Sequence, residues 1–337
     1  DRLDNFILVD EKFTTKHDNV FIRLAYKLGL IEKYDSDRIT VGNPIPHHLY
    51  HAAGAFYNSG FSNAVVVVVD AGGGIIKDAS GNEVGIEIET VFDMETISRK
   101  KLLSNIGTYQ RELGVGAIYS GLSMALGHGP LDCGKAMGLS SYGKPDSNIP
   151  AVRELVVHNP EAYTHPKIPN IEQYNKQNLC YSVQKFTEEW MIQFLLNALE
   201  ISGRKNIVLT GGVALNCVAN YEYLKHLPEG TQIYVDPPAY DGGLSIGAAK
   251  FHYADLYGNV FKKQETFCLG PLPNYNYKLP ESLIEEEATY TDIVSLLTKG
   301  NIVAMYQGRS ESGPRALGNR SILFDPRIKN GKDVVNS

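Results

Sequence analysis

VVVVVDAGGG, residues Val65–Gly74, is the strongest structural pattern in this chain. Five consecutive valines predict a strand that is buried on both faces, as in a sheet flanked by helices. The run ends in Asp70 and in three glycines, Gly72, Gly73 and Gly74. Glycines at a strand end let backbone N–H groups approach an anion, so this turn is a candidate phosphate site. The alternative interpretation is a tight hairpin turn whose glycines adopt positive φ.

The order of strand, glycine-rich turn and helix recurs later in the chain. Asn206–Thr210 predicts one buried strand and Gln232–Val235 predicts another. The turn residues that a bound cofactor would approach are Gly211, Gly212, Val213 and Asn216 after the first strand, and Asp241 after the second. This alternation indicates an α/β fold with ligands at the carboxyl ends of the strands. Close packing of helix against strand explains the Gly211–Gly212 pair equally well.

Hydrophobic periodicity predicts the main helices. They are Phe21–Leu30, His47–Tyr57, Gly114–Leu126, Ser182–Ser202 with Ser182 as its cap, Leu244–Tyr253 and Thr291–Lys299. Further strands are predicted at Gly85–Met94, Thr96–Leu103 and Ile302–Tyr306. We predict a loop over Asp132–Gly138 and a variable insertion or lid over the polar segment 145–180.

Composition limits the function. The 337 residues, of which 43% are hydrophobic, suffice for a large core and for one or two domains. A net charge of −6 argues against long nucleic acid as a partner and leaves small anionic ligands open. The four cysteines form no C-x-x-C pair, and the sequence shows no signal peptide and no long apolar run. We therefore expect a cytoplasmic protein without a zinc cluster and without a membrane partner.

His47 and His51 are spaced for metal binding. Residues four apart on a helix share one face, whereas His48 is turned away from that face. Asp241 is the best candidate for a third ligand. A two-histidine, one-carboxylate site leaves coordination positions open and suits iron or another divalent ion. The alternative is that the histidines are capping or core residues.

Cationic side chains in two glycine-rich stretches are candidate anion ligands. Lys135 lies in the first stretch and would act as a flexible point charge. The second stretch holds Arg309, Arg315 and Arg320. Arginines can hold a phosphate or carboxylate through paired hydrogen bonds. The alternatives are a solvated loop lysine and a basic surface cluster paired with Glu311 and Asp325.

Six motifs occur in the order that is typical of one enzyme family. They are HHLYHAAGAFY from His47, VVVVVDAGGG from Val65, GKAMGLSSYGKP from Gly134, LTGGVALNCVANY from Leu209, PPAYDGGLSIGAA from Pro237 and GRSESGPRALGNRSILFDPR from Gly308. Together they resemble the O-carbamoyltransferases of the nodulation NodU and cephamycin CmcH type, which include the tobramycin (TobZ) and ansamycin carbamoyltransferases.

This resemblance implies a fold and a reaction. The fold is a TsaD-like domain of the actin, heat-shock-ATPase and sugar-kinase class (ASKHA), with mixed sheets flanked by helices, followed by the start of a YrdC-like α/β domain. In this family carbamoyl phosphate and ATP give a carbamoyl adenylate, whose carbamoyl group passes to a hydroxyl of a small acceptor. An antibiotic sugar, a nodulation oligosaccharide and a modified nucleotide all fit as acceptors. The alternatives are a tRNA threonylcarbamoyl transferase, which the acidic balance disfavours, and a non-catalytic nucleotide-binding protein of the same fold.

The resemblance also assigns roles to residues. The metal ligands, for iron or magnesium, would be His47, His51 and Asp241. The turns Asp70–Gly74 and Gly211–Val213 would hold phosphate and adenosine, and Lys135 would face the carbamoyl adenylate. His48 is the candidate general base for the acceptor hydroxyl, with a structural role as the stronger alternative.

Two parts of the family pattern are not recognised in the sequence. Residues 1–45 show neither the strand nor the phosphate loop that normally opens the domain, and the YrdC-like domain is expected to continue past Ser337. We therefore expect a TsaD-like domain over 1–270 without its first part, and a linker with the beginning of the YrdC-like domain over 271–337. The remainder would come from a separate YrdC-like chain, or the chain would form a homodimer.

Overall fold

The computed structural model describes residues 6–8, 20–31, 39–41, 46–96, 98–107, 113–129, 131–157, 166–258, 261–272, 280, 282–284 and 286–337. The chain divides into two compact units, residues 1–264 and 265–337. This division lies a few residues before the boundary placed at residue 270 from composition. Among the described helices, none combines the length and the apolar character that crossing a membrane requires.

Both units contain helices and strands. The strands are β1 (Phe6–Leu8), β2 (Ile39–Val41), β3 (Asn63–Val69), β4 (Ile75–Lys77), β5 (Glu83–Glu95), β6 (Arg99–Gly107), β7 (Asn206–Thr210), β8 (Gln232–Val235), β9 (Val303–Tyr306) and β10 (Arg320–Leu323). The helices are α1 (Val20–Lys27), α2 (His47–Ser59), α3 (Val115–Ala125), α4 (Cys133–Ser140), α5 (Val152–Leu155), α6 (Lys176–Ser202), α7 (Cys217–Tyr223), α8 (Leu244–Tyr257), α9 (Tyr290–Thr298) and α10 (Gly331–Asn336). Short 3₁₀ turns cover Ile171–Gln173, Gly212–Leu215 and Asp241–Gly243.

A six-stranded mixed sheet organises the first unit. Its strand order is β4-β5-β3-β7-β8, and β6 also pairs with β5. Strands β3, β7 and β8 run parallel, so their carboxyl ends lie at one edge. Strand β5 is antiparallel to β3, β4 and β6. The predicted strands at Asn206–Thr210 and Gln232–Val235 are confirmed with these bounds.

The valines of β3 are fully buried because helices cover both faces of the sheet. Val65, Val67 and Val69 face a cluster that includes Leu195 of α6. Val66 and Val68 face the opposite cluster, which includes Phe56 of α2. Burying one valine side chain contributes roughly 1.5 kcal/mol or more, so this strand anchors both layers. The predicted mixed α/β arrangement with flanking helices is confirmed.

The predicted loop over Asp132–Gly138 is wrong, because α4 occupies Cys133–Ser140. Two glycines in eight residues make this a weak helix former by propensity. However, Ala136 is fully buried in an apolar cluster that also contains Leu179 of α6. Tertiary packing therefore stabilises a helix that local sequence disfavours.

The longest helix begins earlier than its periodicity indicated. Helix α6 starts at Lys176, and the Asn175 side chain accepts a hydrogen bond from the Asn178 backbone N–H. Ser182 lies inside the helix, where its hydroxyl donates to the carbonyl of Asn178 at 3.0 Å. The prediction of Ser182 as the cap is therefore wrong.

The segment 145–180 is not an exposed lid in its described part. Val152, Leu155 and Ile168 are buried in the same apolar cluster as α3 and α6. Its polar residues mask this contribution to the core when the segment is judged by composition. Residues 158–165 lie outside the described part.

The beginning of the chain contains a strand that the sequence did not reveal. Phe6–Leu8 and Ile39–Val41 pair in parallel as β1 and β2. Three-residue strands are too short to produce a periodic pattern. Residues 9–19, 32–38 and 42–45 of the region in which the sequence showed no phosphate loop lie outside the described residues.

The second unit is built on a small antiparallel ribbon. Strands β9 and β10 pair with Tyr306 opposite Arg320. Helix α9 precedes them and begins with a capping box, in which Thr289 and Asp292 satisfy each other's backbone N–H groups. The helix and strand predicted for Thr291–Lys299 and Ile302–Tyr306 are confirmed within one residue at each end.

Candidate metal centre

Helix α2 presents a pair of histidines at the carboxyl edge of the parallel strands. It begins at His47, directly after Pro46, and its C-cap Gly60 adopts a left-handed conformation with φ 76°. His47 and His51 lie one turn apart with their Nε2 atoms 3.2 Å from each other. Both side chains are buried. The predicted shared face of the helix is confirmed.

Two carboxylates complete the cluster. Asp70 Oδ2 lies 3.3 Å from Nε2 of His51 and 3.7 Å from Nε2 of His47. Asp241 Oδ1 lies 3.4 Å from both of these nitrogen atoms. The four donor atoms all fall within 4.8 Å of one another. Ligands at about 2.1 Å from one ion stand roughly 3–4 Å apart, so this spacing fits a shared metal.

The buried carboxylate supports a cation at this position. Among the described residues, Asp70 Oδ2 is a buried oxygen without a hydrogen bond. Burial alone would raise the pKa of Asp70, but the adjacent imidazoles of His47 and His51 lower it well below its usual range. Asp70 is therefore ionised at neutral pH. Two imidazoles and two carboxylates form a nitrogen–oxygen donor set that suits a divalent ion.

His51 responds to the same neighbours. Burial acts to lower the pKa of His51, but the nearby carboxylates of Asp241 and Asp70 raise it overall. The two carboxylates thus outweigh burial in their effect on this imidazole.

Asp70 is the ligand candidate that sequence analysis did not identify. The strand-end position suggested a role in phosphate binding, whereas the structure brings Asp70 to the two histidines. The carboxyl end of β3 is adjacent to the start of α2, and only the folded chain shows this proximity. Asp241, predicted as a metal ligand, does lie beside the histidines.

The glycine turn after Asp70 packs closely on neighbouring elements. The Gly73 N–H donates to the carbonyl of Glu87 at 2.7 Å, and the Glu87 N–H donates to the carbonyl of Gly74 at 3.0 Å. The turn therefore continues along β5. Gly72, Gly73 and Gly74 are not among the glycines with positive φ, so the interpretation as a positive-φ hairpin turn is wrong.

His48 lies between α2 and β5. Its Nδ1 is 2.7 Å from Thr90 Oγ1, and a Cβ atom at Gly73 would lie 2.5 Å from its Nε2. Burial lowers the pKa of His48 to about 3, so the imidazole is neutral. Because the ring is fully buried, an acceptor hydroxyl does not reach it, and the geometry favours the structural alternative over the general base.

Gly211 and Gly212 allow close approach between two strand ends. Gly211 has φ 87°, and a Cβ atom there would lie 2.3 Å from the carbonyl oxygen of Val69. A Cβ atom at Gly212 would lie 3.1 Å from Asp70 Oδ1. The packing explanation therefore accounts for both glycines, with the contact made to the end of β3. The Val213 side chain is partly buried and packs against the neighbouring apolar cluster.

Asn216 has a structural role in the folded chain. Its Oδ1 accepts from the Ala219 N–H at 3.1 Å and so caps α7. Its Nδ2 donates to Oε1 of Gln184 at 2.9 Å. The hydroxyl of Tyr119 donates to the same Gln184 oxygen at 2.7 Å. These contacts occupy the amide that was predicted to bind a cofactor.

Lys135 has a local partner. It is exposed on α4 and pairs with Asp132 Oδ2 at 3.0 Å, which agrees with the alternative of a solvated lysine. The contacts known for this side chain do not include the metal cluster.

The three predicted anion-binding arginines lie in the second unit. Arg309 donates to the carbonyl of Gly270 at 3.0 Å, and Arg315 is exposed. Arg320 donates to the carbonyl of Gln307 at 2.6 Å and stacks on the ring of Tyr306.

Both acidic residues suggested as partners for these arginines have other contacts. Glu311 accepts from the backbone N–H groups of Leu317 and Asn319, and Asp325 pairs with Arg327. The surface-cluster interpretation is therefore wrong about the partner of Asp325.

Comparison with known proteins matches both units to one family. The model described as Carbamoyltransferase N-terminus matches residues 5–165 and 160–250, and the model described as Carbamoyltransferase C-terminus matches residues 294–337. The match from residue 5 includes the region in which the sequence showed no family pattern.

Individual relatives agree with this assignment. Nodulation protein NolNO of Sinorhizobium fredii is 29% identical over 350 residues, which cover 93% of this chain and 47% of that protein. The 3'-hydroxymethylcephem-O-carbamoyltransferase of Streptomyces clavuligerus is 27% identical over 227 residues, which cover 61% of this chain and 41% of that enzyme. The chain thus spans about half the length of the curated relatives it matches.

Among solved structures, HypF of T. kodakarensis is 16% identical to this chain. The match covers 75% of this chain and 41% of the HypF chain, with a TM-score of 0.43. This likeness is too weak to support an argument about the fold. The family models, by contrast, account for most of the residues. The chain therefore belongs to the carbamoyltransferase family, together with the nodulation proteins and the cephem O-carbamoyltransferase.

Proposed function

We propose that this chain is the carbamoyl-transfer part of an ATP-dependent O-carbamoyltransferase. Carbamoyl phosphate and ATP supply a carbamoyl adenylate, and the acceptor is a small molecule with a free hydroxyl. The observation that carries the proposal is the cluster of His47, His51, Asp70 and Asp241, because it places a metal-binding donor set at the carboxyl edge of the sheet in a chain of this family.

The chemistry explains why such a cluster is useful. The nitrogen of a carbamoyl group donates into its carbonyl and makes it a poor electrophile, which adenylation offsets by providing a good leaving group. The acceptor oxygen attacks the carbamoyl carbon, the bond to the adenylate phosphate oxygen breaks, and AMP leaves while a base takes the hydroxyl proton. A divalent ion in the cluster would supply positive charge to the departing phosphate.

The burial pattern indicates where substrates approach. The imidazoles of His47 and His51 and the carboxylate of Asp70 are buried, whereas the Asp241 side chain is 67% exposed. We infer that open coordination positions lie on the Asp241 side. As part of this proposal, phosphate would bind at the turns of Gly72 and Gly212, which are both close to Asp70.

The sheet order supports the actin-like class of fold within this proposal. Strands β3, β5 and β6 form an antiparallel series, and the parallel strands β7 and β8 continue from β3 on its other side. One half of an actin-like nucleotide-binding domain has this arrangement. We propose that α9 to α10 belong to the start of a YrdC-like domain.

Exposure in the second unit supports a partner segment. No residue of α9 is buried, and the side chains of Tyr290 and Ile322 are largely exposed. We propose that the remaining part of a YrdC-like domain, or a second copy of this chain, covers these residues. The proposed location is the cytoplasm, where the free thiols of Cys133, Cys180, Cys217 and Cys268 stay reduced.

Metal analysis and carbamoyl transfer test the proposal together. Wild-type protein should contain a divalent metal and, when carbamoyl adenylate is supplied, should add the mass of one carbamoyl group to a member of a panel of hydroxylated acceptors. His51→Ala should lose both properties. His226→Ala is the matched control. His226 is exposed, follows α7 by three residues and is not part of the metal-binding cluster. Wild-type protein without metal, or equal transfer by His51→Ala, would overturn the proposal.

A further inference from the structure

The four ligand candidates come from separate elements, and one of them is poorly enclosed. His47 and His51 lie on α2, whereas Asp241 opens the 3₁₀ turn that runs directly into α8. The Asp241 side chain is 67% exposed, while that of His51 is 1% exposed. Side-chain packing therefore holds the histidines, but the position of Asp241 depends on its backbone and hence on where α8 lies against α2.

Two glycines let α2 and α8 approach to backbone contact. A Cβ atom at Gly54 would lie 3.1 Å from the Cα of Gly247. A Cβ atom at Gly247 would lie 2.0 Å from the carbonyl oxygen of Tyr50, which is far closer than any real contact. Since Tyr50 is adjacent to His51, a larger residue at Gly247 must displace the start of α8 from the histidines.

A buried polar cluster fastens the other end of this interface. Asn58, at the end of α2, donates from Nδ2 to Asp236 Oδ1 at 2.9 Å. Lys250 of α8 donates to Oδ1 of Asn58 at 2.6 Å. The Tyr234 hydroxyl also donates to Asp236 Oδ1, at 3.1 Å. Asp236, which is 4% exposed, thereby ties the segment leading to Asp241 to the end of α2.

We propose that Gly247 and Asp236 are positioning residues for the metal centre. Neither touches the metal position. Gly247 sets the separation of α2 and α8, and Asp236 holds the entry to the turn, so that Asp241 Oδ1 stays 3.4 Å from both imidazoles. This inference rests on the metal centre of the proposed function.

Metal affinity tests the inference independently of catalysis. Affinity for Co²⁺ is measured by competition with a chelator, and the Co²⁺ absorption spectrum reports ligand geometry. Gly247→Ala and Asp236→Leu should each weaken binding about 10–100-fold, the range that changes around metal ligands produce. Asp236→Asn keeps the acceptor oxygen for Asn58 and should restore affinity to within about twofold of wild type.

Two controls separate positioning from general destabilisation. Gly138→Ala, on α4 with open space around the new Cβ atom, should bind Co²⁺ like wild type. Leu195→Ala removes a buried side chain of α6, so it should lower stability but leave the affinity and spectrum of the folded protein unchanged.

The outcomes distinguish the inference from the proposed function. Tight Co²⁺ binding by wild type with unchanged affinity in Gly247→Ala and Asp236→Leu would overturn the inference and leave the metal centre standing. A wild-type protein that binds no metal would overturn both. Should those two variants not fold, Lys250→Met decides in their place, because it removes the donor to Asn58 together with the cation over the Phe261 ring. Weaker binding supports the inference and unchanged binding overturns it.

Discussion

Asp70 Oδ2 lies 3.3 Å from Nε2 of His51, and this contact joins the end of β3 to α2. It brings the conspicuous valine strand and the histidine pair into one site. The end of this strand thus carries a ligand candidate, in addition to the core packing of the valines. Because Asp70 Oδ2 is buried, its environment favours a cation over an unpaired charge.

Asp70→Asn tests this ligand directly. The amide keeps the shape of the side chain but removes the negative charge, so metal affinity should fall by more than the roughly 10–100-fold caused by changes around ligands. Equilibrium dialysis followed by metal analysis measures the effect. Asp132→Asn is the control, because Asp132 is half-exposed and its carboxylate contacts only nearby residues in the chain, Lys135 and the Gly129 N–H. Unaltered metal content in Asp70→Asn would exclude Asp70 from the site.

Gly211→Ala should destabilise the first unit by about 2 kcal/mol or more. The new Cβ atom would clash with the Val69 carbonyl oxygen in addition to straining a residue at φ 87°. Gly203→Ala is a matched control with φ 64° and open space, so it should cost only about 1 kcal/mol. Urea unfolding gives both free energies of unfolding. Equal losses would show that the contact with Val69 is unimportant.

Asn216→Ala should act through stability. It removes the cap of α7 and leaves the buried amide of Gln184 without this partner, at a cost of about 2 kcal/mol. Thermal unfolding measures the loss. ATP affinity measured on the folded protein should match wild type. A loss of ATP affinity with little change in stability would instead support the cofactor role predicted from sequence.

Asp236→Asn should change how stability depends on pH. Burial raises the pKa of Asp236, so the native state binds this proton more readily than the unfolded state does. The contribution of this group therefore weakens as pH rises from the ordinary pKa of about 4 through the raised one. The variant lacks this titration, so its stability relative to wild type should increase over that pH window. Denaturant midpoints at a series of pH values check this, and parallel curves would contradict it.

Local patterns were sufficient for several features of the fold. The valine run of β3 and the histidine spacing on α2 follow from strand and helix periodicities, which need no information from distant residues. The same reasoning failed for α4, where Ala136 packs against α6 and overrides the weak propensity of two glycines. It also misplaced the start of α6, because an asparagine cap outside the apolar pattern begins the helix.

The amino-acid sequence alone established the buried strand, the paired histidines and the family resemblance, because each is a property of neighbouring residues or of ordered motifs. The folded chain was needed to place Asp70 with His51 and to identify Asn216 as a cap of α7. It was also needed to show that Gly247 packs on Tyr50, beside the candidate metal ligand His51. These relationships join residues that are distant along the chain. They exist because sheet pairing and helix packing bring backbones into contact, which no local periodicity encodes.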